Sequence, residues 1–111
     1  MQWYDFNFNA IALALKTTTK KKHMAWYVYI LRCQDDSLYT GVCTDLTRRV
    51  QEHNLCNKKG ARYTRARRPV TIVYREDCEN RSEACQREAA IKKLKRQQKL
   101  TLIQHQLNSM A

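Results

Sequence analysis

No two of the five cysteines stand in a C-x-x-C pair, no apolar run is long enough to cross a membrane, and acidic residues number 10 against 21 lysines and arginines. Each shortage excludes something. The cysteines, at 33, 43, 56, 78 and 85, are odd in number and fall mostly in predicted strands or helices. That pattern argues against a disulfide framework or a zinc site and fits buried free thiols in a reducing cytoplasm. The missing apolar run excludes a membrane span. The short stretch Ala10 to Leu15 carries its lysines, Lys16 and Lys20 to Lys22, on the wrong side for a secretory signal. A length of 111 residues leaves room for one modest core and for no separate regulatory module. The deficit of acid gives a formal charge of +11, which favours phosphate-bearing partners, with acidic proteins and anionic membranes as the other classes.

Residues 1–23 combine scattered aromatics with a Thr/Lys tract and read as an N-terminal extension outside the native domain, which is expected over 24–111. Trp26 to Cys33 is almost continuously apolar, as in a strand buried on both faces. "QDDS" turns the chain into a second strand, Leu38 to Cys43. With a hairpin loop over Asp35 to Ser37, Asp36 takes the left-handed position, and Tyr29 and Tyr39 share a face. Thr44 or Asp45 caps a helix to about Asn54 whose inward positions are Leu46 and Val50, with Arg49 and His53 one turn apart beside them.

A loop follows with Lys58, Lys59, Arg62, Arg65, Arg67 and Arg68 and no acidic residue, and such a run stays solvated unless an anion meets it. "VTIVY" after Pro69 is a third strand. Asn80 and Glu83 form a capping box for a helix carrying Ala84, Glu88, Ile91 and Lys95. A closing helix buries Leu100, Ile103 and Leu107. The order β-β-α-β-α-α predicts an α+β domain, a three-stranded antiparallel sheet flanked by helices.

Single residues here have ordinary explanations. Tyr29 and Tyr39 suit core aromatics with a hydroxyl at the edge. Arg49 and His53 suit a solvated helix face, and Glu88 at i−4 from Lys92 suits a surface ion pair. Gly41, one of two glycines, marks either a strand irregularity or a close approach by another group. The basic loop with Tyr63 among its cations reads as a nucleic-acid contact surface with one stacking ring, comprising Lys58, Lys59, Arg62, Tyr63, Arg65, Arg67 and Arg68.

In combination the segments say more. "YVYIL" ten positions before "LYTG", then "DLTRRVQEHN", "GARYTRARRP" and "REAAIKK", in that order, resemble the GIY-YIG nuclease superfamily, and its small bacterial members in particular, over about residues 25–100. The resemblance implies the GIY-YIG fold and a metal-dependent endonuclease acting on nucleic acid, DNA ahead of RNA, with a protein partner as one source of specificity. It places the motif tyrosines on Tyr29 and Tyr39, the catalytic arginine on Arg49, a histidine-or-tyrosine position on His53 and the ligand of Mg²⁺ or Mn²⁺ on Glu88.

Phosphodiester hydrolysis gives each a task. Arg49 offsets phosphate charge, and Tyr39, or Tyr29 through a water, accepts the nucleophile's proton, with His53 as a rival base of convenient pKa. The sequence departs from the pattern at Tyr27 (usually glycine), Thr40 (usually isoleucine) and Val42 (lysine in some relatives). Two other classes stay open at this stage: a nucleic-acid-binding module without turnover, and an adaptor that meets an acidic protein through the basic loop.

Overall fold

Strand β1 (Trp26–Arg32) is buried without interruption from Tyr27 to Leu31, because it is the central strand and helices cover both of its faces. The computed structural model describes residues 26–110; the extension expected over residues 1–23 lies outside the described residues. After β1 come β2 (Leu38–Cys43), α1 (Leu46–Leu55), a single turn α2 (Arg62–Arg65), β3 (Thr71–Cys78), α3 (Arg81–Lys92) and α4 (Arg96–Met110). Both strand pairs are antiparallel, in the order β2-β1-β3. The expected fold class therefore holds, with α2 added inside the segment expected to be a loop.

Alternation along β1 sorts the core into two layers. Tyr27, Tyr29 and Leu31 face α1 and pack with Leu46, Val70 and Ile72, while Val28 and Ile30 face α3 and α4 and pack with Ala84, Ile91 and Ile103. The β1–β2 register pairs Tyr29 with Gly41 and Leu31 with Tyr39, which puts both motif tyrosines on the α1 face as expected.

The hairpin differs by one residue from the expected loop. Cys33 N–H donates to the Ser37 carbonyl at 2.9 Å and Asp36 N–H to the Cys33 carbonyl at 2.9 Å, so the loop is Gln34 to Asp36. Asp36 does take the left-handed conformation, with φ 70°. The Asp35 carboxylate steadies the turn by accepting from the Ser37 amide and hydroxyl at 3.1 and 2.5 Å.

β3 runs four residues past the expected end at Tyr74 because its polar residues are paired rather than solvated. Arg75 is only 6% exposed, lies over the Tyr27 ring at 5.0 Å and bonds Asp77 at 2.5 Å. Glu76 receives a bidentate clamp from Arg87 of α3, both bonds 2.7 Å, and the Tyr74 hydroxyl at 2.6 Å. The Gln106 amide on α4 accepts from Arg75 N–H at 3.1 Å and donates to the Arg75 carbonyl at 2.7 Å, covering part of an open sheet edge.

The capping box at α3 is also displaced. Asn80 accepts from Glu83 N–H at 2.8 Å as expected, but the Glu83 carboxylate reaches back to the Glu79 amide, at 2.8 Å, one residue beyond the cap.

Thr40 is the one buried side chain among the described residues whose polar atom, Oγ1, finds no hydrogen-bond partner. It pairs with Ile30 on the α3 side of the sheet and is 3% exposed. An unmade buried hydrogen bond costs about 1–3 kcal/mol, so the isosteric Thr40→Val is expected to stabilise the fold by about 1 kcal/mol. Thermal unfolding should show a rise in Tm of several degrees; a fall would mean that the hydroxyl has a partner in solution.

Candidate active site

Helix α1 is fastened at both ends before it presents any chemistry. Of the two expected caps the structure uses Asp45, whose carboxylate accepts from Arg48 N–H at 3.1 Å. At the other end Arg68 reaches back from beyond α2. Its guanidinium donates to the His53 carbonyl at 2.5 Å, the Cys56 carbonyl at 2.9 Å and Asn57 Oδ1 at 3.0 Å, meeting carbonyls that a helix C-terminus leaves unpaired. The Asn54 side chain pairs with Val70 as a strand would, donating to its carbonyl at 3.0 Å and accepting from its N–H at 2.7 Å. These ties hold α1 against the Tyr29 face of the sheet.

His53 is thereby pressed into the core at 0% exposure, not beside the inward stripe but within it. Its Nε2 meets the Tyr29 hydroxyl at 2.9 Å and its Nδ1 meets Thr64 Oγ1 at 2.8 Å. Thr64 in turn donates to the Ala61 carbonyl at 3.0 Å. Tyr29 is 1% exposed, and its hydroxyl lies directly over Gly41: a Cβ there would stand 2.5 Å from the phenol oxygen. Of the two explanations for this glycine, close approach is the right one, since the β1–β2 register passes Gly41 unbroken.

Tyr39 packs edge-on against the His53 ring at 5.4 Å and stacks on Tyr63 at 5.9 Å, yet stays partly open to solvent. Arg49 stands beside this group. Its guanidinium bonds the Glu52 carboxylate at 2.9 Å and the Lys59 carbonyl at 2.7 Å, and its charge acts on Tyr29 and His53. Two strands and one helix thus bring Tyr29, Tyr39, Arg49 and His53 together on one face.

Burial decides their protonation. The Tyr29 phenol is pushed well above its ordinary value by desolvation, which outweighs the opposing influence of Arg49. His53 is pushed down to about 4, first by burial and then by the neighbouring Arg49 charge. The expectation that His53 offers a base of convenient pKa is corrected here: the imidazole is neutral, dry and bonded at both nitrogens.

The basic segment is less free than its composition suggests, because backbone carbonyls accept several of its guanidinium groups. Arg68 caps α1 and Arg65 bonds the Asn57 carbonyl at 2.5 Å. Arg67 bonds Asp35 in the hairpin at 3.1 Å and lies 3.9 Å from the Tyr63 ring centroid. Tyr63, 39% exposed, is therefore held between contacts with Arg67 and Tyr39 rather than standing as an open stacking ring. Lys58, Lys59 and Arg62 are exposed.

Glu88 projects from α3, whose Ala84 and Ile91 pack in the other layer of the core, and its partner is the one expected from spacing alone, Lys92 Nζ at 3.2 Å. Among the described residues no group of three or more His, Cys, Asp and Glu side chains could jointly hold a metal. A single carboxylate with water in the remaining positions is nevertheless a donor set that magnesium accepts, and a half-exposed lysine pair is weak enough to yield to a divalent ion.

Reading residue by residue missed Thr64, Asn54 and Glu52, although the quoted segments "GARYT" and "EHN" contain them. A polar residue that faces the core only after the chain has folded back leaves no periodic signal.

Two outcomes follow from this geometry. Gly41→Ala forces the Tyr29 hydroxyl off His53 and is expected to destabilise the fold by about 1–3 kcal/mol, measured by denaturant unfolding; an unchanged midpoint would contradict the packing. The second concerns pH. Because the folded pKa of His53, about 4, lies below its ordinary 6.5, the unfolded chain binds a proton first. Stability is therefore full above pH ~6.5 and declines as pH falls toward ~4, by on the order of 3 kcal/mol from this residue. His53→Gln should flatten that part of the stability profile.

The GIY-YIG catalytic domain family matches residues 25–101. A UPF0213 protein of Desulfotalea psychrophila is 58% identical over 79 residues, 71% of each chain. One from Clostridium perfringens is 57% identical over 77 residues, covering 69% of this chain and 81% of its own. Two solution NMR structures are similar: the UPF0213 protein BH0048 of Bacillus halodurans (42% identity, TM-score 0.46, 71% of this chain and 82% of that one) and the protein EF2693 of E. faecalis (46%, 0.49, 73% and 85%). With its motif tyrosines, arginine and histidine gathered on one sheet face and more than half its length matched, the chain belongs to the GIY-YIG nuclease family.

Proposed function

We propose that this protein is a metal-dependent endonuclease that hydrolyses phosphodiester bonds in nucleic acid, DNA ahead of RNA. The observation that supports it most is the convergence of Tyr39 and Arg49, both reaching solvent, over the buried pair Tyr29 and His53. Of the three groups considered as bases, Tyr29 and His53 are sealed from water, which leaves Tyr39 to orient the attacking water and take its proton. Arg49 presents the forked donors that suit a phosphate oxygen and its developing charge, on exchanging its Lys59 carbonyl or Glu52 carboxylate for the substrate. Glu88 would hold Mg²⁺ or Mn²⁺, which when bound supplies Lewis-acid stabilisation of the phosphate and the leaving oxygen. The exposed Lys58, Lys59 and Arg62 would meet flanking phosphates.

A second reading, a binding module of the same fold without turnover, draws on one observation. Both Arg49 and Glu88 already have ionic partners within the chain, Glu52 and Lys92.

One experiment separates the two. Branched, single-stranded and duplex DNA, and RNA, are incubated with the protein and Mg²⁺ or Mn²⁺, alongside Tyr39→Phe, Arg49→Ala and Glu88→Ala. The nuclease reading expects metal-dependent cleavage reduced by about 10²-fold or more in each variant. Salt-sensitive binding with no cleavage of any substrate would refute it.

A further inference from the structure

The hydrogen bonds around His53 form a chain whose far end admits only one direction. There the Ala61 carbonyl, which can only accept, receives the Thr64 hydroxyl at 3.0 Å. Before it lie Tyr29 to His53 Nε2 at 2.9 Å and His53 Nδ1 to Thr64 Oγ1 at 2.8 Å. Since the Thr64 proton goes to Ala61, the Thr64 oxygen accepts from Nδ1, which therefore carries the proton of the neutral ring. Nε2 is then bare and accepts the Tyr29 proton. The opposite arrangement would turn an N–H onto the Tyr29 oxygen and leave the buried Tyr29 proton without the acceptor it has here.

We infer that Thr64 is a positioning residue: by accepting from Nδ1 and donating to Ala61 it holds His53 in the Nδ1–H tautomer, which turns the Tyr29 proton inward onto the ring. Which ring nitrogen carries the proton is set by the bond the other makes. The assignment also gives α2 a task. This single turn, in the middle of the basic segment, places Thr64 under the helix that carries Arg49. The consequence for turnover rests on the nuclease reading; the tautomer does not.

The test reads the tautomer directly by long-range ¹⁵N–¹H correlation spectra of histidine-labelled full-length protein near pH 7, with the His53 signals assigned by their loss in His53→Gln. Wild type is expected to show Nδ1 protonated and Nε2 as the bare acceptor. Thr64→Val, which keeps the side-chain shape, is expected to shift population toward Nε2–H, and Thr64→Ser to restore the wild-type pattern.

On a cleavable nucleic acid, Thr64→Val should lower kcat roughly tenfold or more with KM little changed, and Thr64→Ser should recover it. A protonated Nε2 or an imidazolium in wild type overturns the inference, even if Thr64→Val proves too unstable to purify. An unchanged tautomer in folded Thr64→Val also overturns it. A tautomer shift in a protein that cleaves nothing upholds the assignment while removing the nuclease reading, whereas cleavage undiminished in a tautomer-silent Thr64→Val does the reverse.

Discussion

The bond between the Tyr29 hydroxyl and His53 Nε2 joins the central strand to α1 inside a layer from which water is excluded. Two polar groups at such depth are tolerated only when every donor and acceptor is met, and much of the surrounding structure serves that condition. Gly41 gives up its side chain so that the phenol can lie over β2. Thr64 satisfies the far side of the imidazole, and Ala61 satisfies Thr64. Remove any one member and a buried polar group loses its partner, which is why this face is a single unit rather than a set of neighbours.

That unit determines how the solvent-facing Tyr39 is held. Tyr39 rests edge-on against the His53 ring and is thus positioned by a group that never reaches water, while Arg49 is held by Glu52 and the Lys59 carbonyl. An outward ladder continues from Tyr39 through Tyr63 and Arg67 to Asp35 in the β1–β2 hairpin. The hairpin, α2 and α1 are therefore coupled through side chains rather than through backbone pairing. A residue displaced in the hairpin would be felt at Tyr39.

The strongly basic segment has a double character. Its charge suits phosphate, but backbone carbonyls at the end of α1 are also anionic partners in the electrostatic sense, and they hold Arg65 and Arg68. Guanidinium is suited to both tasks because its planar donors can bridge several carbonyls at once. The two lysines and Arg62, exposed on the same segment, keep the charge that solvent or a phosphate can meet.

Much of this architecture was legible in the sequence. Continuous burial of β1, the shared face of Tyr29 and Tyr39, the inward positions of α1 and α4 and the start of α3 all follow from periodicity, because each depends on residues close together in the chain. The order of the motifs indicated the family for the same reason. What only the tertiary structure decided was the set of contacts between distant segments: His53 sealed against Tyr29 and Thr64, Arg68 folded back as a cap, β3 prolonged by the pairing of Arg75 with Asp77 and of Glu76 with Arg87, and α3 packed on the opposite side of the sheet from α1. A polar side chain reads as exposed until its partner is known, and the partners here are 11 to 24 residues away for His53 alone. Pattern could name the residues of the site, but desolvation, which depends on the whole fold, decided which of them hold a proton and which can touch water.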